Sequence, residues 1–112
     1  MKRIWLAFLY SLSGLRLAFA EEAAFRQEIF LSILLFPLAF FLADSGVELA
    51  LMWFSVLLVL MLELVNSAVE AAIDRMGTEI HPLSKKAKDT ASAAVLIALV
   101  NVAVVWGAVL WY

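Results

Sequence analysis

From Ile29 to Ala43 the chain reads IFLSILLFPLAFFLA without a single charge, and the stretches from Leu49 to Leu62 and from Ala91 to Tyr112 are almost as apolar. Runs of this kind admit few folds. About twenty residues of helix cross a hydrocarbon core near 30 Å thick at about 1.5 Å per residue. Only a backbone that satisfies its own N–H and C=O groups is stable there, which means a helix or a closed barrel. With 66% hydrophobic residues in 112 positions, the chain carries far more apolar surface than one water-soluble domain of that size buries. The sequence therefore predicts an all-α membrane protein. It has no cysteine, which excludes a disulfide framework and a cysteine metal site.

Three spans are expected, over residues 23–43, 47–70 and 91–112. The first extends backward through Ala23, Ala24 and Phe25, placing Glu28 near its rim, and Pro37 is tolerable within it as a kink. Asp44, Ser45 and Gly46 supply a tight turn into the second. In that second helix, polar residues keep helical spacing past Glu63 as far as Asp74, so its end should project into water. The third is about 33 Å of helix with Trp106, Trp111 and Tyr112 near the far interface. Gly77, Pro82, Lys85, Lys86 and Lys88 mark a wet connector over 75–88. Ahead of the spans, MKRIWLAFLY opens like a signal peptide. Ser11, Ser13, Gly14 and Arg16 interrupt the run without an A-x-A-like cleavage site, so an amphipathic helix on the membrane surface is expected over 3–20.

All 8 basic residues precede the uncharged run of the first span, which begins at Ile29, or lie between the second and third spans, while the short first turn holds Asp44 and Glu48. The positive-inside rule puts the N-terminus and connector in the cytoplasm and the C-terminus outside. No internal repeat appears, so residues 1–112 form one domain.

Glu63, Asn66, Ser67, Glu70 and Asp74 fall at helical spacing and share one face of the second helix. A carboxylate such as Glu63, held at the end of an uncharged run, costs at least a few kcal/mol unless paired, hydrated, protonated or metal-bound. Such a face either glues helices together in an oligomer or forms a site. As a site, Glu63 acts as a base while Glu70, nearer the water, binds a hard cation through oxygen. Two carboxylates do not complete a magnesium shell, but a nucleotide's phosphates with water do. Glu21, Glu22 and Glu28 gather at the start of the first span. Glu22 becomes a further metal ligand if that span packs against the stripe. Lys85 and Lys86 read as a solvated flank and His81 as a loop histidine, while Lys88, closest to the membrane edge, is the better phosphate ligand. No G-x-x-x-x-G-K-[ST] loop, kinase glycine loop or H-E-x-x-H is present. Phosphoryl transfer needs none of these, since it depends on positioned metal, neutralised phosphate and an oriented nucleophile.

EAAFRQE (Glu22 to Glu28), ELVNSAVEAAIDR (Glu63 to Arg75) and KAKDTASAAVLI (Lys86 to Ile97) together resemble the bacterial diacylglycerol kinase family, over essentially the whole chain and in the same order and intervals. The resemblance implies a homotrimeric helical bundle in the bacterial inner membrane with active sites shared between subunits. It implies that Glu63 takes the proton of the lipid hydroxyl as that oxygen attacks the γ-phosphate of ATP, and that Glu22 and Glu70 hold Mg2+. Arg3, Tyr10, Glu79, His81, Lys88 and Asp89 would surround the nucleotide, with Asn66 and Asp74 supporting. Arg3, Arg16, Glu28, Ser92 and Trp106 match positions lining the lipid site. The implied partners are ATP, a lipid alcohol, the bilayer and two further copies of the chain, with no nucleic acid. Leu12 and Ile80 depart from the family pattern, where aromatics are frequent. EAAFRQE resembles the Gram-negative branch, whose product, phosphatidate, returns to phospholipid synthesis; the undecaprenol kinase branch is the alternative. From another class, intramembrane acids also mark ion pathways, and a structural oligomer would use the stripe as glue alone.

Overall fold

The computed structural model describes residues 1–77 and 79–112, so the expected connector is seen apart from residue 78, which lies outside the described residues. Among the described residues the chain is all helix: α1 (Lys2–Glu21), α2 (Ala23–Leu42), α3 (Gly46–Arg75) and α4 (Pro82–Trp111). Each is long and apolar enough to cross a membrane, and α1 is the least apolar of the four. The expected connector is shorter than its composition suggested. His81 caps α4 by accepting the Leu83 N–H on Nδ1 at 3.1 Å, and Pro82 follows at the first helical position, where its missing donor costs nothing. The lysine cluster therefore rides on the opening turns of α4 rather than in a loop. Gly77, at φ 118°, turns the chain away from the end of α3 in a conformation that favours glycine.

The α2–α3 turn is tied by two reciprocal bonds. The Ser45 hydroxyl accepts the Glu48 N–H at 3.2 Å, and the Glu48 carboxylate accepts the Asp44 N–H at 3.0 Å, a variant of the capping box. The hairpin is then zipped within the spans. Trp53 Nε1 donates to the carbonyl of Phe36 at 2.9 Å, and the two rings meet edge to face at 5.9 Å. Phe36 precedes Pro37, so the bond lies beside the point where proline withdraws a donor from the helix ladder.

At 30 residues each, about 45 Å, α3 and α4 are longer than the hydrocarbon core is thick. They pack on each other more extensively than any other pair; α2 lies on α3, and α1 rests on α2 and touches α3. The contact between helices is made with small and flexible residues. Met52, Ser55 and Ala39 are fully buried and Ala98 is 1% exposed, letting backbones approach as membrane helices require. Ser55 hides its hydroxyl by donating to the Met52 carbonyl at 2.7 Å. Large side chains such as Phe30, Leu34, Phe41, Leu57, Leu96 and Ile97 face outward, as befits helices whose solvent is lipid or a second subunit.

Trp53→Phe keeps the ring and loses the donor to Phe36. It should lower unfolding stability in detergent micelles by about 1 kcal/mol, read from a denaturant or thermal titration, and an unchanged midpoint would deny that bond a part in holding the hairpin.

Candidate functional site

The polar stripe of α3 begins where its apolar half ends. Glu63, Asn66, Ser67 and Glu70 are all partly buried, whereas Asp74, one turn further, is exposed. Asn66 Nδ2 donates to Glu70 Oε1 at 3.1 Å, an i to i+4 bond that orients the carboxylate along the stripe. Glu63 has no such support. Its Oε2 is buried without a hydrogen-bond partner, as are Glu28 Oε2 on α2 and Asn66 Oδ1. The carboxylates of Glu70, Glu22 and Glu28 lie close enough to Glu63 to repel it. Helix packing thus collects four acids from α2, α3 and the α1–α2 corner, at the level where the apolar run of α3 gives out. Clustered like charges with unsatisfied oxygens are costly.

Two recesses flank this cluster. One of ≈ 590 Å3 opens between α1 and α3, lined by Ser11, Gly14, Ala18, Glu21, Glu22, Ser67 and Ala71 among others. A smaller apolar crevice of ≈ 110 Å3 runs between α2, α3 and α4 with Glu28 at its polar end and Leu31, Leu35, Val56 and Val102 along its walls. At the end of α3, a third cleft of ≈ 530 Å3 gathers Asp74, Glu79, His81, Lys85, Lys88 and Asp89. Lys88 Nζ donates to Asp74 Oδ1 at 2.7 Å, bridging α4 to the stripe, and that bond holds the ammonium above the usual lysine range. Lys85 is likewise held up by its bond to Asp89 at 2.5 Å.

Of the residues expected at the site, α2, α3 and α4 bring together Glu22, Glu28, Glu63, Asn66 and Glu70 at the rim, and Asp74, Glu79, His81, Lys88 and Asp89 in the terminal cleft. Arg3 and Tyr10 stand apart, lining a recess of their own on α1 with Lys2, Leu6 and Ala7. Arg16 and Ser92 are exposed. Trp106 buries its indole Nε1 without an acceptor, about 21 Å along α4 from Ser92. Lys85 is solvent-exposed, as expected of a flank, and lies on the open rim of the terminal cleft; His81 lies outside the helices, as expected, and caps α4. The proline after His81 was the available signal for the cap.

The donor set at the rim is all oxygen, which suits a hard cation such as magnesium. Among the described residues no three Asp, Glu or His side chains converge as a complete metal cage. Glu22 and Glu70 would supply two oxygens and leave the remaining positions to water and phosphate.

The cost of the bare cluster can be measured. In the absence of metal and nucleotide, Glu63→Gln should leave unfolding stability unchanged or raise it by about 1 kcal/mol, because it removes a carboxylate that lacks a partner. A loss of that size in detergent unfolding would mean that the charge is compensated in the folded protein.

The family model described as prokaryotic diacylglycerol kinase matches residues 9–110. A diacylglycerol kinase of Haemophilus influenzae is 56% identical over 103 residues, 92% of this chain and 87% of the relative. One from Pseudomonas aeruginosa is 51% identical over 110 residues, covering 98% and 89%. One from Escherichia coli K12 is 46% identical over 109 residues, covering 97% and 89%.

Proposed function

The chain belongs to the prokaryotic diacylglycerol kinase family, and on that footing we propose that it transfers the γ-phosphoryl group of ATP to the hydroxyl of diacylglycerol at the cytoplasmic face of the bacterial inner membrane, giving phosphatidate and ADP. The observation that carries the proposal is Glu63, a carboxylate at the boundary of an apolar span whose Oε2 has no protein partner. Its place at that depth suits a lipid hydroxyl, which sits at the same interface with its chains below.

In this mechanism the lipid oxygen attacks the γ-phosphorus in line with the departing ADP, and Glu63 accepts the hydroxyl proton as the O–P bond forms. General-base assistance of this kind is worth about 10²–10⁴ in rate. Glu22 and Glu70 would hold magnesium, which would supply charge neutralisation on the nucleotide. Asn66 keeps Glu70 aimed by its hydrogen bond. Lys88 gives one of its three ammonium donors to Asp74, which holds it in the terminal cleft with donors left for a phosphate oxygen. Glu79, His81 and Asp89 surround the nucleotide there, and Glu28 with Arg16, Ser92 and Trp106 receives the lipid. Arg3 and Tyr10, which lie away from that cleft on α1, act in a site shared with a neighbouring copy in a homotrimer. In that assembly α1 lies on the cytoplasmic membrane surface, the N-terminus is cytoplasmic and the C-terminus periplasmic.

Purified protein in mixed micelles with labelled ATP and magnesium should label diacylglycerol in preference to undecaprenol. Labelling of undecaprenol instead would move the chain to that branch, and ion flux in liposomes without nucleotide would replace the kinase reading. Glu63→Gln should lower kcat by about 10²–10⁴ with the oligomer intact, while near-normal turnover rejects Glu63 as base. Glu70→Gln should raise the magnesium concentration for half-maximal rate by about tenfold, measured as a Mg2+ titration at fixed ATP.

A further inference from the structure

Glu22 is the only residue between α1 and α2. Its backbone is extended, with φ −111° and ψ 106°, so a single residue turns the chain from one helix into the next, and that residue carries a proposed metal ligand. The direction of its carboxylate therefore depends on the angle between the two helices. The helix ladder does little to fix that angle. Glu22 N donates to the Ala18 carbonyl at 2.8 Å, but the carbonyls of Phe19 and Ala20 lie past the last donors of α1.

Arg26 supplies what the ladder lacks. Its Nη1 donates to the carbonyls of Phe19 at 2.8 Å and Ala20 at 2.9 Å, while its own backbone N–H donates to the Glu22 carbonyl at 3.1 Å. The residue thus grips both sides of the hinge from the first turn of α2. It is also a cation at the negative end of the α1 dipole, whose last turn has no basic residue of its own. Among the described residues the ion pairs are Lys85–Asp89 and Lys88–Asp74, so the Arg26 guanidinium serves carbonyls and neutralises neither Glu22 nor Glu28. On the far side of the corner Phe19 and Phe30 meet edge to face at 5.9 Å, an apolar contact that does not need Arg26.

We propose that Arg26 is a positioning residue for the phosphoryl-transfer site: by clamping the end of α1 to the start of α2 it sets the angle at which Glu22 presents its carboxylate to Glu63 and Glu70. This rests on the reading of Glu22 as a magnesium ligand. A guanidinium carries its donors in a planar, preorganised fork, whereas a lysine ammonium is a mobile point charge, so Arg26→Lys preserves the charge but aims it less well.

The test uses the full chain in mixed micelles. Mn2+ stands in for magnesium, and its binding is followed by electron paramagnetic resonance with a non-hydrolysable ATP analogue present. Arg26→Gln should raise the Kd for Mn2+, and the Mg2+ concentration for half-maximal turnover, by about tenfold, with the KM for the lipid alcohol unchanged. Arg26→Lys should recover part of the loss. A merely structural arginine would lower the folded fraction and leave metal affinity per folded protein at the wild-type value, and that result overturns the proposal. If Arg26→Gln yields no folded protein, Arg26→Lys decides: weakened Mn2+ affinity supports the clamp and wild-type affinity refutes it. Failure of the wild-type protein to bind Mn2+ with nucleotide would instead sink the kinase reading, and the clamp with it.

Discussion

A carboxylate stays at the edge of a hydrocarbon layer only when something offsets the loss of water around it. In this protein Glu63 sits there with Oε2 unpartnered, and Glu28, Glu22 and Glu70 crowd it with charge of the same sign. Helix packing imposes the crowding, since Glu28 comes from α2, Glu63 from α3 and Glu22 from the corner between α1 and α2. The repulsion is offset by the packing of the spans on one another through buried small and flexible residues such as Ala39, Met52, Ser55 and Ala98. Under the proposed function a cation with bound phosphate would relieve the repulsion, so the groups that weaken the protein alone would be those that hold its ligand. Stability given up at a site for the sake of chemistry is a general pattern.

Helix α3 is the element on which the others depend. Its first half is a membrane span whose buried positions, Met52, Ser55, Val56 and Val59, give α2 and α4 a close surface to pack on. Its second half is polar and carries Glu63, Asn66, Glu70 and Asp74 outward from the rim. Because the helix is continuous from Gly46 to Arg75, any rotation that improves its packing in lipid also turns the carboxylates. Packing and site are therefore one decision. The terminal cleft follows from the same geometry, since α3 and α4 outlast the membrane together and Lys88 meets Asp74 across the gap.

Much of this was legible in the chain. The uncharged runs placed α2, the apolar half of α3 and the body of α4, because a continuous apolar run that crosses lipid satisfies its backbone as helix, whereas the strands of a barrel alternate apolar and polar residues. The 3, 4 and 7 spacing of the stripe put Glu63, Asn66, Glu70 and Asp74 on one face, since helical periodicity is local. The start of α4 was less legible. Gly77, Pro82 and three lysines read as loop, yet proline at the first helical position opens a helix when a capping side chain precedes it, and His81 takes that part. Lys85 remains the solvated flank its composition suggests, on the open rim of the terminal cleft because the helix begins early enough to bring it there.

Contacts between residues distant in sequence were invisible beforehand. Nothing in EAAFRQE states that Arg26 reaches back over the corner to Phe19 and Ala20, and nothing in the first two spans states that Trp53 bonds the carbonyl of Phe36. The sequence by itself determined the solvent of this protein, its helical class and the faces on which its acids lie, because hydropathy and periodicity act over neighbouring residues. Only the tertiary structure decided which acids meet, which lysine bridges to which aspartate, and that one residue forms the corner between α1 and α2. Those outcomes depend on the angles and depths at which helices cross, which no local pattern encodes.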